Sequence, residues 1–182
     1  MNTKMSKLAL AIGALVMAGG VMAADATAPI KAEVIAPIAI TKVTDLSFGN
    51  LAAGNGVVTV ATDSARGATG GTIGLVMTGS TPTAAKFNVT GQGTQTFGIV
   101  TTASSTELTS VAAGSSPMPF TLITESIAGA DATATNKTVG TSATGTMLAG
   151  AATIYAGGAL TVAAAQTPGS YTGTVSVSVE YN

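Results

Sequence analysis

The stretch YTGTVSVSVEY, residues 171–181, decides the fold class. One set of alternate positions holds Tyr171, Val175, Val177, Val179 and Tyr181, and the other set is mostly threonine and serine. Successive side chains of a strand point to opposite faces of a sheet. The alternation therefore predicts a strand with one buried face and one solvated face.

Most of the remaining chain repeats this pattern on a shorter scale. Glycine-rich or polar loops are predicted for residues 45–56, 63–71, 104–117 and 128–145. Strands are predicted for residues 57–62, 72–79, 84–91, 95–102 and 118–126, and residues 146–162 are expected to form two short strands separated by a turn at Gly157 and Gly158. Many short strands and no clear helix predict an all-β sandwich or barrel.

Composition excludes several classes of function. The chain has seven Lys and Arg against eight Asp and Glu, which leaves no basic footprint for nucleic acid. It contains no cysteine and no histidine, so disulfides, thiolate sites and the usual catalytic bases and soft metal ligands are excluded. Neither a cofactor nor a metal is expected, and we do not expect an enzyme.

Carboxylates are the remaining route to catalysis, because a pair of them can hydrolyse glycosides. The candidates are Glu107, Glu125 and Asp131. All three lie in or beside predicted loops, where solvated acids are common. A carboxylate-dependent hydrolase is the least favoured interpretation.

Residues 1–23 have the pattern of a secretory signal. Lys4 and Lys7 precede an apolar run over residues 8–21, and the small residue Ala23 follows. The alternative, a membrane anchor, is disfavoured because the apolar run is short for a spanning helix. We expect cleavage after Ala23, or after Ala24, and no transmembrane anchor in the mature chain.

The run ADATAPIKAEVIAPIAIT, residues 24–41, alternates for longer than an ordinary strand. Fully extended it would measure about 55 Å. Pro29 and Pro37 interrupt it, and proline is not tolerated inside a doubly paired strand. We therefore divide the run into one segment over residues 24–32 and a second strand over residues 34–43.

Two explanations of the first segment remain. It either folds onto its own domain or frays, as termini commonly do, or it inserts into the sheet of a neighbouring copy. Head-to-tail repetition of the second arrangement does not close and produces a fibre. The side chains that would face inward are Ala24, Ala26, Ala28, Ile30 and Ala32.

Three stretches carry a family resemblance: APIAITKVTDLSFGNLAAG at 36–54, KFNVTGQGTQTFGIV at 86–100 and IYAGGALTVAAAQTPGSYTGTVSVSVEYN at 154–182. With them the chain resembles the secreted bacterial domain-of-unknown-function 4402 family. The ending and the Leu-x-Phe-Gly element are also similar to the spore coat protein U family, which includes pilin subunits of archaic chaperone–usher pili. The chain departs from the coat-protein pattern by lacking cysteines.

The resemblance implies an incomplete immunoglobulin-like β-sandwich that is completed by a neighbour's N-terminal strand. Residues 24–32 would be the donor segment. Other copies of the chain would be its partners, with a periplasmic chaperone and an outer-membrane usher as further partners. The acceptor groove would be bordered by the strand that carries Tyr171, Val175, Val177, Val179 and Tyr181.

The sequence thus predicts a signal at residues 1–23, a candidate donor strand at 24–33 and a β-sandwich domain at 34–182. We expect a secreted structural subunit of a bacterial surface filament or coat. The chief alternative is a monomeric secreted binding module for carbohydrate or another surface.

Overall fold

The computed structural model describes residues 24–52, 54–101 and 105–182, so the signal predicted for residues 1–23 lies outside the described residues. The described residues form strands, turns and loops and contain no helix. Accordingly, this part of the chain has no helix that could cross a membrane. The predicted all-β class is confirmed.

The strands are short except for two. β9 and β11 span eleven and twelve residues, and the others have six or fewer. In the described residues the strands are β1 Ala39–Thr44, β2 Leu51–Ala52, β3 Gly56–Val60, β4 Arg66–Thr69, β5 Gly74–Leu75, β6 Ala85–Thr90, β7 Thr96–Val100, β8 Glu107–Leu108, β9 Met118–Ala128, β10 Thr144–Thr146, β11 Ala151–Val162 and β12 Ser178–Tyr181.

The larger sheet is organised around β11. One side of β11 pairs with β9, and the other side pairs first with β6 and then with β3. β1 continues the sheet beyond β6, β4 continues it beyond β3, and β8 pairs with β9. All these pairings are antiparallel. Among the described strands β1 pairs only with β6, so it is an edge strand of the sheet.

A second sheet, in the order β10-β7-β12, packs against the first through a shared core. This first core cluster joins Phe87 and Ile154 of the larger sheet to Phe97 and Ile99 of β7. Phe97 and Ile154 are fully buried. Side chains from two sheets interdigitate in this way in a sandwich, so the arrangement is sandwich-like.

A second core cluster lies on the part of the larger sheet formed by β3, β9 and the end of β11. Its buried members include Val58, Phe120 and Leu160. It is covered by segments that are mostly loops and by the two-stranded pair of β2 and β5. The first core cluster is therefore covered by the second sheet, whereas the second cluster is covered mostly by loops.

The turn predicted at Gly157 and Gly158 is wrong, because β11 runs through both residues as a single strand. A Cβ at Gly157 would lie 2.2 Å from the carbonyl oxygen of Val60, and one at Gly158 would lie 2.1 Å from the ring of Phe120. These glycines permit close packing between strands, which is the other common role of glycine in a sheet.

Other strand predictions differ in extent. Residues 72–79 contribute only β5, whereas the loops predicted at 63–71, 104–117 and 128–145 contain β4, β8 and the start of β10. Residues 171–181 were expected to be one strand, but only β12 is regular. The preceding residues make a single bridge, between Thr172 and Thr109.

Contacts divide the chain into two units, Met1–Glu33 and Val34–Asn182. The described part of the first unit, residues 24–33, contains no strand, and all its side chains are exposed. In the second unit residues 34–37 are also exposed, and β1 begins only at Ala39, five residues later than predicted. Pro37 lacks the N–H that a paired strand needs, which explains the late start.

Candidate acceptor groove

A cavity of about 710 Å³ lies over the second core cluster. One wall is formed by residues 45–52, which follow β1, and the other by residues 166–175, which precede β12. The floor is apolar and consists of buried core side chains: Phe48, Met118, Phe120, Leu160 and Val162. We refer to this cavity with its two walls as the groove.

Arg66 fixes the first wall. Its guanidinium donates hydrogen bonds to the carbonyl oxygens of Phe48 at 2.8 Å, Asn50 at 3.1 Å and Val76 at 2.9 Å. The ring of Phe48 then meets the ring of Phe120 edge to face, with centroids 6.0 Å apart. The chain's single arginine thus holds the backbone that presents an aromatic side chain to the floor.

The turn at the start of the second wall is held by Tyr171. Its hydroxyl donates to the carbonyl oxygen of Thr167 at 2.8 Å and accepts a hydrogen bond from Nε2 of Gln166 at 2.8 Å. Gln166 also donates to the carbonyl oxygen of Ser116 at 2.5 Å. The aromatic ring of Tyr171 packs against the second core cluster, so this residue links the turn to the floor.

The backbone of the second wall is paired on one side. The N–H of Thr172 donates to the carbonyl oxygen of Thr109, and the carbonyl oxygen of Thr174 accepts from the N–H of Ser105. Successive backbone groups of an extended strand point to opposite sides, so the odd-numbered groups face away from these partners. The backbone N–H and carbonyl groups of Gly173, Val175 and Val177 make no backbone hydrogen bond with the described residues.

The structure divides the predicted acceptor residues between the two halves of the core. Tyr171 and Val175 line the groove. Val177, Val179 and Tyr181 pack against the first core cluster and are not among the residues that line the cavity. The groove is therefore shorter than the predicted strand.

Tyr181, at the end of β12, links the segment that follows β6 to the segment that precedes β1. Its hydroxyl accepts a hydrogen bond from the N–H of Gln92 at 2.7 Å and donates one to the carbonyl oxygen of Ala36 at 3.0 Å. Ile38 and Ile40 cover the first core cluster on the same side. This half of the sandwich is closed by the chain's own β1.

The predicted donor side chains, Ala24, Ala26, Ala28, Ile30 and Ala32, are all exposed. Ile30 is 97% exposed, as is Val34, which follows it in the same alternating phase. The sequence analysis placed Val34 at the start of the second strand and not in the donor segment. It also missed the groove floor, whose residues come from β9, β11 and the segment after β1.

The three candidate catalytic carboxylates have separate surroundings. Glu107 is exposed in β8, and Asp131 forms an ion pair with Lys86 at 2.7 Å, which lowers the pKa of Asp131. Glu125 is only 7% exposed. In the described ranges, no group of three or more acidic, histidine or cysteine side chains is placed to hold a metal.

Glu125 connects three parts of the larger sheet and its loops. It accepts a hydrogen bond from Oγ1 of Thr62 at 2.6 Å, one from the N–H of Thr135 at 3.1 Å, and one from the hydroxyl of Thr135. Burial by itself raises the pKa of Glu125, but the hydrogen bonds from Thr135 and Thr62 outweigh it, and the pKa lies below its usual value. These contacts give Glu125 a structural role.

Replacing Glu125 by glutamine is expected to lower the free energy of unfolding at pH 7 by about 1–3 kcal/mol, because one of the two acceptor oxygens becomes an NH2 group that cannot accept from Thr62 or Thr135. The contribution of a lowered pKa is present above the unfolded value, about 4.3, and is lost as the pH falls through the folded-state value. The difference between variant and parent should therefore shrink below about pH 4. Urea unfolding at pH 7 and pH 3 measures it.

The control is Glu107→Gln, since Glu107 is exposed. It should leave the free energy of unfolding unchanged within about 0.5 kcal/mol at both pH values. Equal stability of Glu125→Gln and Glu107→Gln at pH 7 would contradict the structural role of Glu125.

Comparison with known families identifies the chain's family. Residues 38–181 match the family described as Domain of unknown function (DUF4402). No curated protein and no solved structure matches the chain. The matched range includes both core clusters, the groove walls and the strands β1 to β12. This protein belongs to the DUF4402 family.

Proposed function

We propose that this protein is a structural subunit of a bacterial surface filament or coat, in which the leading segment of one copy, residues 24–32, occupies the groove of the next. The observation that carries the proposal is the groove itself, a cavity with an apolar floor and an unpaired backbone edge in its described wall. The exposed, alternating leading segment supports it.

The groove and the exposed leading segment are each unfavourable in water when they are separate. An apolar floor beside a strand edge favours aggregation, and a bound strand removes that hazard. Strand addition provides main-chain hydrogen bonds, while alternate side chains enter the cavity. A strand that binds only the folded state also stabilises it by mass action. In a chain without cysteine this stabilisation replaces what disulfides supply in many secreted domains.

The topology is consistent with an immunoglobulin-like sandwich that lacks one strand. β1, β6, β11 and β9 follow one another across the larger sheet, and β7 and β12 lie in the smaller one. β12 and β1 are both edges, and the groove continues between the segments next to them. A strand inserted there would pair with the wall that leads into β12 and lie beside the segment that follows β1, as the resemblance to pilin subunits implies.

Secretion and partners form part of the proposal. The pattern of residues 1–23 supports export as far as the periplasm, and the filament or coat would lie on the cell surface. Other copies of the chain are the principal partners. A periplasmic chaperone would protect the groove before assembly, and an outer-membrane usher would order the subunits.

A monomeric binding module is the second candidate. It is supported by the polar groups at the rim of the cavity, including Asp45, Asn50 and Gln166, which could orient a small ligand. Cavities that combine apolar surface with a few polar groups commonly bind small molecules. In that case the leading segment would have no role in the function.

Deleting residues 24–33 distinguishes the two candidates. The full chain, expressed with its leader and purified, should form filaments that electron microscopy detects, and the deletion variant should remain monomeric. Since those residues lie outside the second unit, the variant should retain the circular dichroism spectrum of the parent. If the full chain is monomeric at high concentration, or if the deletion variant still forms filaments, the proposal is wrong.

A further inference from the structure

We infer that Ile30 and Val34 are the two side chains that anchor the donor segment in the neighbour's groove. The inference rests on the proposed function and makes it more specific. It moves the essential part of the donor from residues 24–32 to residues 30–34. The remaining inward side chains, Ala24, Ala26, Ala28 and Ala32, present single methyl groups.

Exposure and size single out these two residues. Ile30 and Val34 are each 97% exposed, the highest values of the large apolar side chains in the described ranges apart from Val111. Burying an isoleucine or valine side chain contributes about 1.5–3 kcal/mol, whereas a methyl group contributes much less. Most of the apolar driving force of the segment therefore resides in this pair.

The spacing of the pair fits the groove. Ile30 and Val34 are four residues apart, so in a strand they lie on the same face about 13 Å apart. Tyr171 and Val175, whose apolar side chains line the cavity from the second wall, are also four residues apart. Two anchors therefore match the length of the accessible floor.

Backbone chemistry favours the part of the segment that contains Ile30 and Val34. Proline lacks a backbone N–H and cannot add a full hydrogen bond to a ladder. Pro29 and Pro37 flank residues 30–36, and each of these seven residues carries an N–H. This is the longest proline-free part of residues 24–37, so none of the alternate N–H groups that would face the unpaired edge of the groove is missing.

The hydrogen bond between Ala36 and Tyr181 sets the direction of the inserted segment. Ala36 is held by Tyr181 of its own copy, so Val34 must stay close to that copy's surface. It is then expected at the outer end of the neighbour's groove beside Tyr171. Ile30 is expected deeper, beside Val175, where the closed half of the core begins. The donor would run antiparallel to the wall.

Substitution of the anchors tests the inference. Ile30→Thr and Val34→Thr should each raise the protein concentration needed for filament formation about tenfold, which corresponds to about 1.4 kcal/mol. The matched control is Ile35→Thr, because Ile35 is a neighbouring isoleucine in the opposite phase. It should assemble like the parent. Sedimentation of filaments across a concentration series measures all three variants.

The possible outcomes are distinguishable from failure of the proposed function. If the deletion of residues 24–33 prevents assembly but Ile30→Thr and Val34→Thr do not, the anchor assignment is wrong and the donor segment stands. If Ile35→Thr weakens assembly as much as the other two, the inward face is misassigned. If the deletion variant assembles, both ideas are wrong.

Disulfide trapping tests the direction, because the chain has no cysteine of its own. The pair Ile30→Cys with Val175→Cys should form intermolecular disulfides under mild oxidation, since residues opposite each other in paired strands are within disulfide range. The pair Ile30→Cys with Tyr171→Cys should form few. Preferential cross-linking of the second pair would overturn the proposed direction.

Discussion

A Gly157→Ala variant is expected to lose the fold. Gly157 lies in the middle of β11, where a Cβ would be 2.2 Å from the carbonyl oxygen of Val60 and 3.1 Å from the carbonyl carbon of Ala61. These are backbone atoms of the neighbouring segment, so no side-chain rotation can relieve the clash. Strands β3 and β11 would have to separate. Overpacking of this kind costs about 3 kcal/mol or more, a large part of a domain's stability.

Urea unfolding and the yield of soluble protein measure this effect. The control is Gly67→Ala in β4, where a Cβ would find no atom within 4 Å. That change should be neutral, or stabilising by up to about 1 kcal/mol, because alanine restricts the unfolded chain. If Gly157→Ala is as stable as Gly67→Ala, the close approach of β3 to β11 is incorrect.

The same pair of glycines shows what a single sequence leaves ambiguous. Two adjacent glycines between apolar runs have the same local pattern at a turn and at a crowded place inside a strand. Only the partners decide, and those partners, Val60 and Phe120, are far away in the sequence. By contrast, β3, β6, β7 and β9 were predicted because their apolar alternation is local.

The candidate site was predicted in part for a similar reason. Tyr171 and Val175 belong to an alternating stretch, so their inward orientation follows from sequence phase alone. The floor of the groove combines residues from three distant segments, and no local pattern connects them. Arg66 is a further example, because its partners are carbonyl groups, which any sequence provides.

The limited regularity of residues 171–177 also has a physical explanation. Their alternation is as clean as that of β12, yet their backbone is paired with described residues on one side and borders the groove on the other. The sequence is thus suited to a strand with two neighbours. A donor on the unpaired side would supply the second neighbour and is expected to convert this stretch into a regular strand.

The second large effect is expected when two assembly-deficient variants are mixed. The deletion of residues 24–33 removes the donor and leaves the groove. Val175→Arg places a long charged side chain in the wall of the groove, where its burial without a partner is unfavourable, and leaves the donor. Each variant alone should be monomeric. Together they should form a dimer of one copy each and nothing larger.

Light scattering coupled to size-exclusion chromatography measures these masses directly. Ser178→Arg serves as the control, because Ser178 is exposed and lies in the opposite phase of the same segment. It should form filaments like the parent, which would show that an added arginine is not itself inhibitory. Unfolding curves of Val175→Arg and the parent monomer establish that the groove variant is folded.

The mixing experiment is specific to a head-to-tail interface. If the interface used the same patch on both subunits, each variant would have that patch either damaged or intact. Mixing two variants that cannot assemble would then create no complementary pair. With a donor and a separate acceptor, each molecule retains one functional half, and the two halves meet once. A mixture that stays monomeric while the parent forms filaments would mean that the subunits associate through another surface.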